Sequence, residues 1–414
     1  MKGGEKNMNK IAIKLATAVS TGALVVSSFA TPLLATTVEI SGNGSDSDNT
    51  VEVNQTNTTA VNQSNTANIS NNIDVDVDTG DNDANDNTGG DVSIDTGDAN
   101  ATVGVSTTVN SNQASVNGCC PDDVTLKIKG NGSDSGNNDE NKIKFNSTNA
   151  NVISQDNNAN VNNDVDLDLD TGYNDANDNT GGDVSVTTGD ADATVTVSNN
   201  ANANWAAVTG GGSGGGLAVE ISGNGSDSDN TVEVGLTTVN TINQSNNADI
   251  SNNIDVDADT GDNDANDNTG GDVSIDTGDA NADVDVSNMA NFNAAELAGC
   301  GCVEDLDVLV KGNGTDSDNT VKLNLGSILA AVQTNSFDNG EKCDGIDVDL
   351  DTGGNDAKDN THGGDPSITT GDADADVDVE NTANSNVLGD VDFDLPTQEG
   401  SSMSVLLILL ALLG

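Results

Sequence analysis

A unit of roughly ninety residues recurs four times, and inside each unit apolar and polar side chains alternate one for one; no other feature restricts the fold so strongly. The segment Gly42-Asn43-Gly44-Ser45-Asp46-Ser47-Asp48 returns in near copies beginning at Gly130, Gly223 and Gly312, with starts 88, 93 and 89 residues apart. A second block, from Asp78-Thr79-Gly80 to Asp91, recurs at Asp170 to Asp183, Asp259 to Asp272 and Asp351 to Asp365. The fourth copy departs most, with His362 inserted before its Gly pair and Pro366 where the others carry Val. Terminal repeats diverge in this way because they have one neighbour rather than two.

Runs such as Ile73-Asp74-Val75-Asp76-Val77-Asp78 have period two, the signature of a strand buried on one face. No helical stripe appears outside the apolar segment near the N-terminus. A longer beat of eight lies underneath, in Val53, Val61, Ile69 and Val77 and again in Phe145, Ile153, Val161 and Leu169. The fourth copy loses it between Leu323 and Ile346. With one Trp, one Tyr and five Phe, any core is thin and aliphatic. The fold class expected is all-β, four tandem repeats of about ninety residues, β-solenoid-like. Half-coils of eight or nine residues give a turn of about 17, with runs such as Asn62-Gln63-Ser64-Asn65 supplying hydrogen-bonded side-chain ladders. The competing architecture is a string of β-sandwich domains, since about ninety residues is also the immunoglobulin-like size. The eight-residue beat and the scarcity of aromatics favour the solenoid. A weak likeness to curli-type repeats, which also carry spaced Gln, Asn and Ala, points the same way.

The charge balance narrows function. There are 12 basic and 69 acidic side chains, a net charge of -57 and no Arg. Nucleic acid is excluded as a partner, because its affinity comes from cations that displace phosphate counterions. The single histidine, His362, leaves almost nothing for histidine-based catalysis or a zinc site. Paired Asp side chains are too abundant to single out one catalytic couple. The chain is expected not to be an enzyme. Low hydrophobicity with high charge would ordinarily mean disorder; the strict alternation argues for order.

Lys2, Lys6, Lys10 and Lys14 precede an apolar stretch from Leu15 to Ala35 with small residues near its end, the layout of a secretory signal peptide. At the other end, Leu395-Pro396-Thr397-Gln398-Glu399-Gly400 and the apolar run Val405 to Leu413 resemble a cell-wall sorting signal of the LPxTG type. That resemblance implies attachment to the cell wall or envelope by a sortase. The match is degenerate: Thr397 sits one place early, Glu399 precedes the Gly, and the basic tail of that family is not seen. The chain then divides into a signal peptide at 1–36, repeats at 37–118 and 119–208, a Gly-rich linker at 209–217, repeats at 218–299 and 300–394, and a hydrophobic tail at 395–414.

The carboxylates point to a cation. Residues two apart on a strand share a face at roughly 6.6 Å, so Asp74, Asp76 and Asp78 form a row, and equivalent rows of a stacked sheet lie roughly 4.8 Å away. Calcium relieves such repulsion, because Ca2+ takes six to eight oxygens in adaptable geometry. The loop residues Asp81, Asp83, Asn85, Asn87 and Asp91 offer further oxygens beside Gly89 and Gly90. Their copies include Asp175, Asp183, Asp264, Asp272, Asp356 and Asp365, and Asp46-Ser47-Asp48 suggests a smaller site. The loop is not an EF-hand, since Asp86 stands where that motif needs Gly and no Glu closes it. It also lacks the third Gly of the calcium-binding nonapeptide. The alternative is that these are turn residues and solvated acidic faces, which serve solubility.

Cys119, Cys120, Cys300, Cys302 and Cys343 are odd in number, and four of them sit in connectors, which suits an inter-chain disulfide or self-association. The stretches GNGSDSDNTVEV and TGDNDANDNTGGDVSIDTGDA resemble the Asn/Asp/Gly-rich repeat surface proteins of small-genome candidate bacterial lineages. The resemblance implies an extracellular or cell-surface location and no established activity. The function expected is a secreted or cell-surface, non-catalytic, Ca2+-stabilised stalk, adhesin or envelope component. The alternative is an extracellular module that binds glycan or mineral through its acidic β faces.

Overall fold

The computed structural model describes residues 11–21, 28–29, 36–45, 47–117, 123–133, 140–209, 216–297, 305–339, 345–361 and 363–389, which contain strands and no helix. Each repeat lays down the same four strands. A short lead strand (Thr36–Ser41, Val124–Lys129, Gly216–Ser222, Asp305–Lys311) is followed by a long strand (Asn49–Asp78, Glu140–Asp170, Asp229–Asp259). In the fourth repeat the long strand is split into Asp318–Asp338 and Ile346–Asp351, where the sequence loses its beat. A corner strand (Val92–Asp95, Val184–Thr187, Val273–Asp276, Ser367–Thr369) then leads into a return strand (Ala99–Asn117, Ala191–Thr209, Ala280–Leu297, Ala373–Leu388).

Among the four repeats, strands of one kind pair only with their own kind in the adjacent repeat, always parallel and in register, so that Val75 faces Leu167, Leu167 faces Val256 and Val256 faces Val348. The result is a β-solenoid of four rungs whose sheets run through every repeat, and the units are therefore not separate sandwiches. One turn of the solenoid is a whole repeat of about ninety residues, not the 17 expected from the beat of eight. The reason lies in parity. Steps of eight on an extended strand return to the same face, so Val53, Val61, Ile69 and Val77 are inward positions of one strand that never turns between Asn49 and Asp78. The return sheet also carries the backbone of Ile11–Thr21 and Ser28–Phe29, paired parallel on Ala99–Val109 and Ser115–Val116.

The long and return strands face each other across a flat interior. Near the corner it is aliphatic: Val165, Leu167 and Leu169 pack with Ala191, Ala193, Val195 and Val197, all nearly or wholly buried. Further along, inward positions are amides. Asn65 Nδ2 donates to Asn157 Oδ1 at 3.1 Å, Asn157 to Asn246 at 3.1 Å and Asn246 to Asn335 at 3.2 Å. Asn157 also donates across the interior to Asn204 Oδ1 at 2.9 Å. A glutamine ladder runs the opposite way, from Gln155 Nε2 to Gln63 Oε1 at 2.8 Å and from Gln244 to Gln155 at 2.9 Å. Burying an amide is costly unless it is bonded, and stacking each amide on its own kind supplies the bond. Asn240 Nδ2 is an instructive exception: it is buried without a partner because Leu329 replaces Asn in the rung beyond it.

Each return strand contains one left-handed Asn, at Asn110, Asn202, Asn291 and Asn384. It acts as a bulge. Odd residues face inward before it (Val103, Val105) and even residues after it (Asn112, Ala114, Val116), and Asn110 Nδ2 reaches the backbone oxygen of Asn158 at 2.7 Å. At the corner, stacking forbids side chains: a Cβ on Gly172 would lie 2.1 Å from the Gly261 backbone oxygen.

Two pairs of substitutions test this. Asn157→Ala strands buried partners above, below and across, and is expected to lower stability by about 2–3 kcal/mol; outward Asn68→Ala should change it by less than about 0.5 kcal/mol. Gly172→Ala is expected to cost about 1–3 kcal/mol, whereas Gly44→Ala, where an added Cβ meets nothing within 4 Å, should be tolerated. Denaturant unfolding measures both.

Candidate functional site

The final residues of the long strand alternate Ile73, Val75 and Val77 inward with Asp74, Asp76 and Asp78 outward. Because the rungs are in register, each outward Asp stacks on an Asp. Three columns result: Asp74, Asp166, Asp255 and Asp347; Asp76, Asp168, Asp257 and Asp349; Asp78, Asp170, Asp259 and Asp351. The carboxylates thus form a grid with spacings of roughly 6.6 Å along the strand and roughly 4.8 Å between rungs.

The middle rungs feel this most. Burial pushes the Asp168 and Asp257 carboxyls above the ordinary carboxylate range, and the stacked Asp76, Asp168 and Asp349 charges push them the same way. Asp166 is raised by burial and by its neighbours Asp255 and Asp74. Asp170 is pushed up to about 7, chiefly by burial, with Asp259, Asp78 and Asp81 adding to the shift and a hydrogen bond from the Gly172 amide opposing it. Asp259 is also raised by burial; here the Gly261 amide and the Tyr173 hydroxyl, which donates to it, pull the other way. That contact holds the Tyr173 hydroxyl above its own usual range. The Gly172 bond belongs to a turn seen in every rung, in which Asp78, Asp170, Asp259 and Asp351 accept from the amide two residues on at 2.6–2.7 Å.

The loop residues fall into columns of their own. Asp83, Asp175, Asp264 and Asp356 stack through isolated bridges, and burial followed by Asp264 and Asp83 raises the Asp175 carboxyl. Lys358 pairs with Asp356 in the fourth rung. Asp81 adopts a left-handed turn at φ 53. Asn85 Oδ1 accepts the Asn177 amide, and Asn87 Nδ2 donates to Asn179 Oδ1 at 2.9 Å. Asp91 accepts the Asp183 amide at 3.1 Å and Asp183 the Asp272 amide at 2.9 Å. In the fourth rung Asp272 accepts from Gly364 instead of Asp365, displaced by the extra residue at 362. The loop oxygens are thus largely engaged between rungs. Among the described residues no three His, Cys, Asp or Glu side chains converge as a metal cage.

His362, Asp46, the five cysteines and most of the two terminal segments lie outside the described residues. Phe337 is an inward, partly buried member of the interior, stacked on Ala248. The repeated block already aligns Asp78 with Asp170, Asp259 and Asp351; the partners of Asp74 and Asp76 follow from the 92- and 89-residue offsets once the rung length is known. Comparison with protein-family models, curated proteins and solved structures finds no match.

The raised carboxyls set a pH dependence. Their folded-state pKa values lie above the unfolded ones, so the stability they contribute is fully present below about pH 4 and is lost as pH rises through the folded values, which for Asp170 means through about 7. The melting temperature in chelator is expected to fall between pH 5 and pH 8. Asp170→Asn should raise it at pH 8 and flatten the profile; a profile that rises across this window would contradict the grid.

Proposed function

We propose that the chain is a secreted or cell-surface, non-catalytic structural protein, a stalk, adhesin or envelope component whose outer carboxylate grid is stiffened by Ca2+. The observation that carries this is the in-register stacking of Asp on Asp in three adjacent columns, with no Lys in any of them. Such columns need protons or cations to offset their repulsion. Above the pKa of these groups, a hard divalent ion bridging carboxylates of successive rungs is the simplest source, and Ca2+ tolerates the irregular oxygen sets that side chains on a sheet can offer. The continuous interior, filled by aliphatic side chains and amide ladders, suits a load-bearing rod better than a reaction centre. Export is supported by the basic and apolar order of the first 36 residues, and envelope attachment by the sorting-signal-like segment at 395–414.

The same grid favours a second role. Its regular spacing suits an extended array of cations, and hence the binding of mineral or a cation-bridged glycan on the acidic face.

Thermal melting at pH 7.5 with millimolar Ca2+ and with chelator tests the first role. Calcium is expected to raise the melting temperature by several degrees. Asp166→Asn combined with Asp257→Asn should raise the baseline in chelator and shrink the calcium response. An unchanged melting temperature on adding calcium would assign the grid to solvated acidity alone.

A further inference from the structure

The two ends of the solenoid are different and complementary. At the fourth rung, inward side chains that are buried in the third lose their cover: Val308 and Val310 are 42% and 46% exposed, whereas Val219 and Ile221 beneath them are 1% and 0% exposed. Leu325 and Leu329 are uncovered in the same way at 46% and 45%. Among the described residues the backbones of all four sheets end there in open edges, which are templates for another strand.

The inward asparagine ladders have a direction. Asn65, Asn71, Asn110 and Asn112 of the first rung donate Nδ2 to Oδ1 of the second, and the sense is kept to the third at Asn252 and to the fourth at Asn335, Asn384 and Asn386. At these positions the first-rung end therefore presents Asn amide oxygens and the fourth-rung end Asn amide N–H groups, as at exposed Asn384 and Asn386, while the glutamine ladder is reversed and is likewise continued only by head-to-tail stacking. A charged column adds a second polarity. Glu52, Lys144, Glu233 and Lys322 occupy one stacked position and alternate in sign, with Lys144 to Glu52 at 3.3 Å and Lys322 to Glu233 at 2.9 Å. The next residue demanded by this alternation is acidic, and the first rung supplies it as Glu52.

We propose that the fourth rung of one molecule docks on the first rung of a second copy, continuing the sheets head to tail and placing Lys322 against Glu52 of the next copy. Parallel pairing favours this arrangement over a two-fold dimer, which would set strands antiparallel and amide donors against donors. The interface is heterologous and does not close, so it generates a linear filament. Its buried apolar positions and amide ladders are those that already join the third rung to the fourth. On the first rung, among the described residues, Ile11–Thr21 and Ser28–Phe29 occupy the edge of the return sheet, so that edge opens when this leader is removed. The docking goes beyond the stalk role and stands without calcium, so assembly and the calcium response succeed or fail separately.

The test compares the full chain with the chain beginning at Thr36, which retains all four rungs, by sedimentation and electron microscopy in about 0.15 M salt to screen the acidic faces. The shorter chain is expected to form a concentration-dependent linear series, and the full chain to assemble at least tenfold more weakly. Lys322→Glu alone and Glu52→Lys alone should each abolish assembly while circular dichroism stays that of a folded β protein. Mixing the two variants should restore it, because each then meets the opposite charge. The proposal is overturned if the shorter chain stays monomeric, if the single variants assemble like the wild type, or if the mixture fails to assemble. Assembly that appears only when residues 390–414 are deleted would overturn it too, by making that tail the occupant of the fourth-rung end.

Discussion

Repeat length and rung length coincide in this chain, so each residue of a strand lies roughly 4.8 Å from its counterpart in the next repeat. That single constraint has opposite consequences for different side chains. Amides gain, because Asn and Gln are donor and acceptor at once and a column of them satisfies itself. Small aliphatic side chains gain contact without needing bulk. Carboxylates lose, because an acceptor-only group stacked on itself has only repulsion to offer until a proton or cation intervenes. The interior amides and the outer Asp grid are therefore two outcomes of one geometry.

The same constraint explains how so acidic a chain with so few aromatics builds a core. In an ordinary domain, side chains from unrelated positions must interlock. Here Val195 meets Val103 and Val284, and Leu167 meets Val75 and Val256, so complementarity is inherited from repetition. The polar half of the interior needs no large side chain either. Asn157 alone reaches partners in the rungs on both sides and across to the return strand. Where the repetition is broken the cost is visible, as at Asn240 under Leu329.

Much of this was legible in the sequence. Alternation in Ile73 to Asp78 gave strands with the right faces, and the spaced Asn and Gln gave ladders. The length of the turn was not legible, because an even spacing on an extended chain reports only that residues share a face. The decisive local information was negative: the first two long strands, 49–78 and 140–170, contain no Gly or Pro, the two strongest breaks of an extended chain. The Asp columns followed once that length was known. The alternation of Glu52, Lys144, Glu233 and Lys322 was hidden, since a change of sign between copies looks like random divergence until the copies are stacked. The contact of Tyr173 with Asp259 depends on a left-handed residue at the corner, which no period reveals.

Differences in length between repeats fall where stacking can absorb them. The offset between the first two rungs is 88 at Asn43 and Asn131 but 92 from Asn49 and Asn141 onward, and between the next two it passes from 93 to 89 across the same turn. The extra residue at 362 likewise shifts the offset from 92 at Thr269 and Thr361 to 93 at Ser274 and Ser367, within the corner. A single residue inserted in a long strand would instead reverse every later side chain, turning Asp168 inward and Leu167 out to water. A continuous strand must therefore keep its count, and the turns are free to vary; where the fourth rung adds three residues, the offset passing from 89 at Asp249 and Asp338 to 92 at Ile254 and Ile346, the long strand is split. Even the exception inside a strand obeys this rule: the left-handed Asn of the return strand does reverse the faces, but it recurs in every rung, so the column beyond it stays in register.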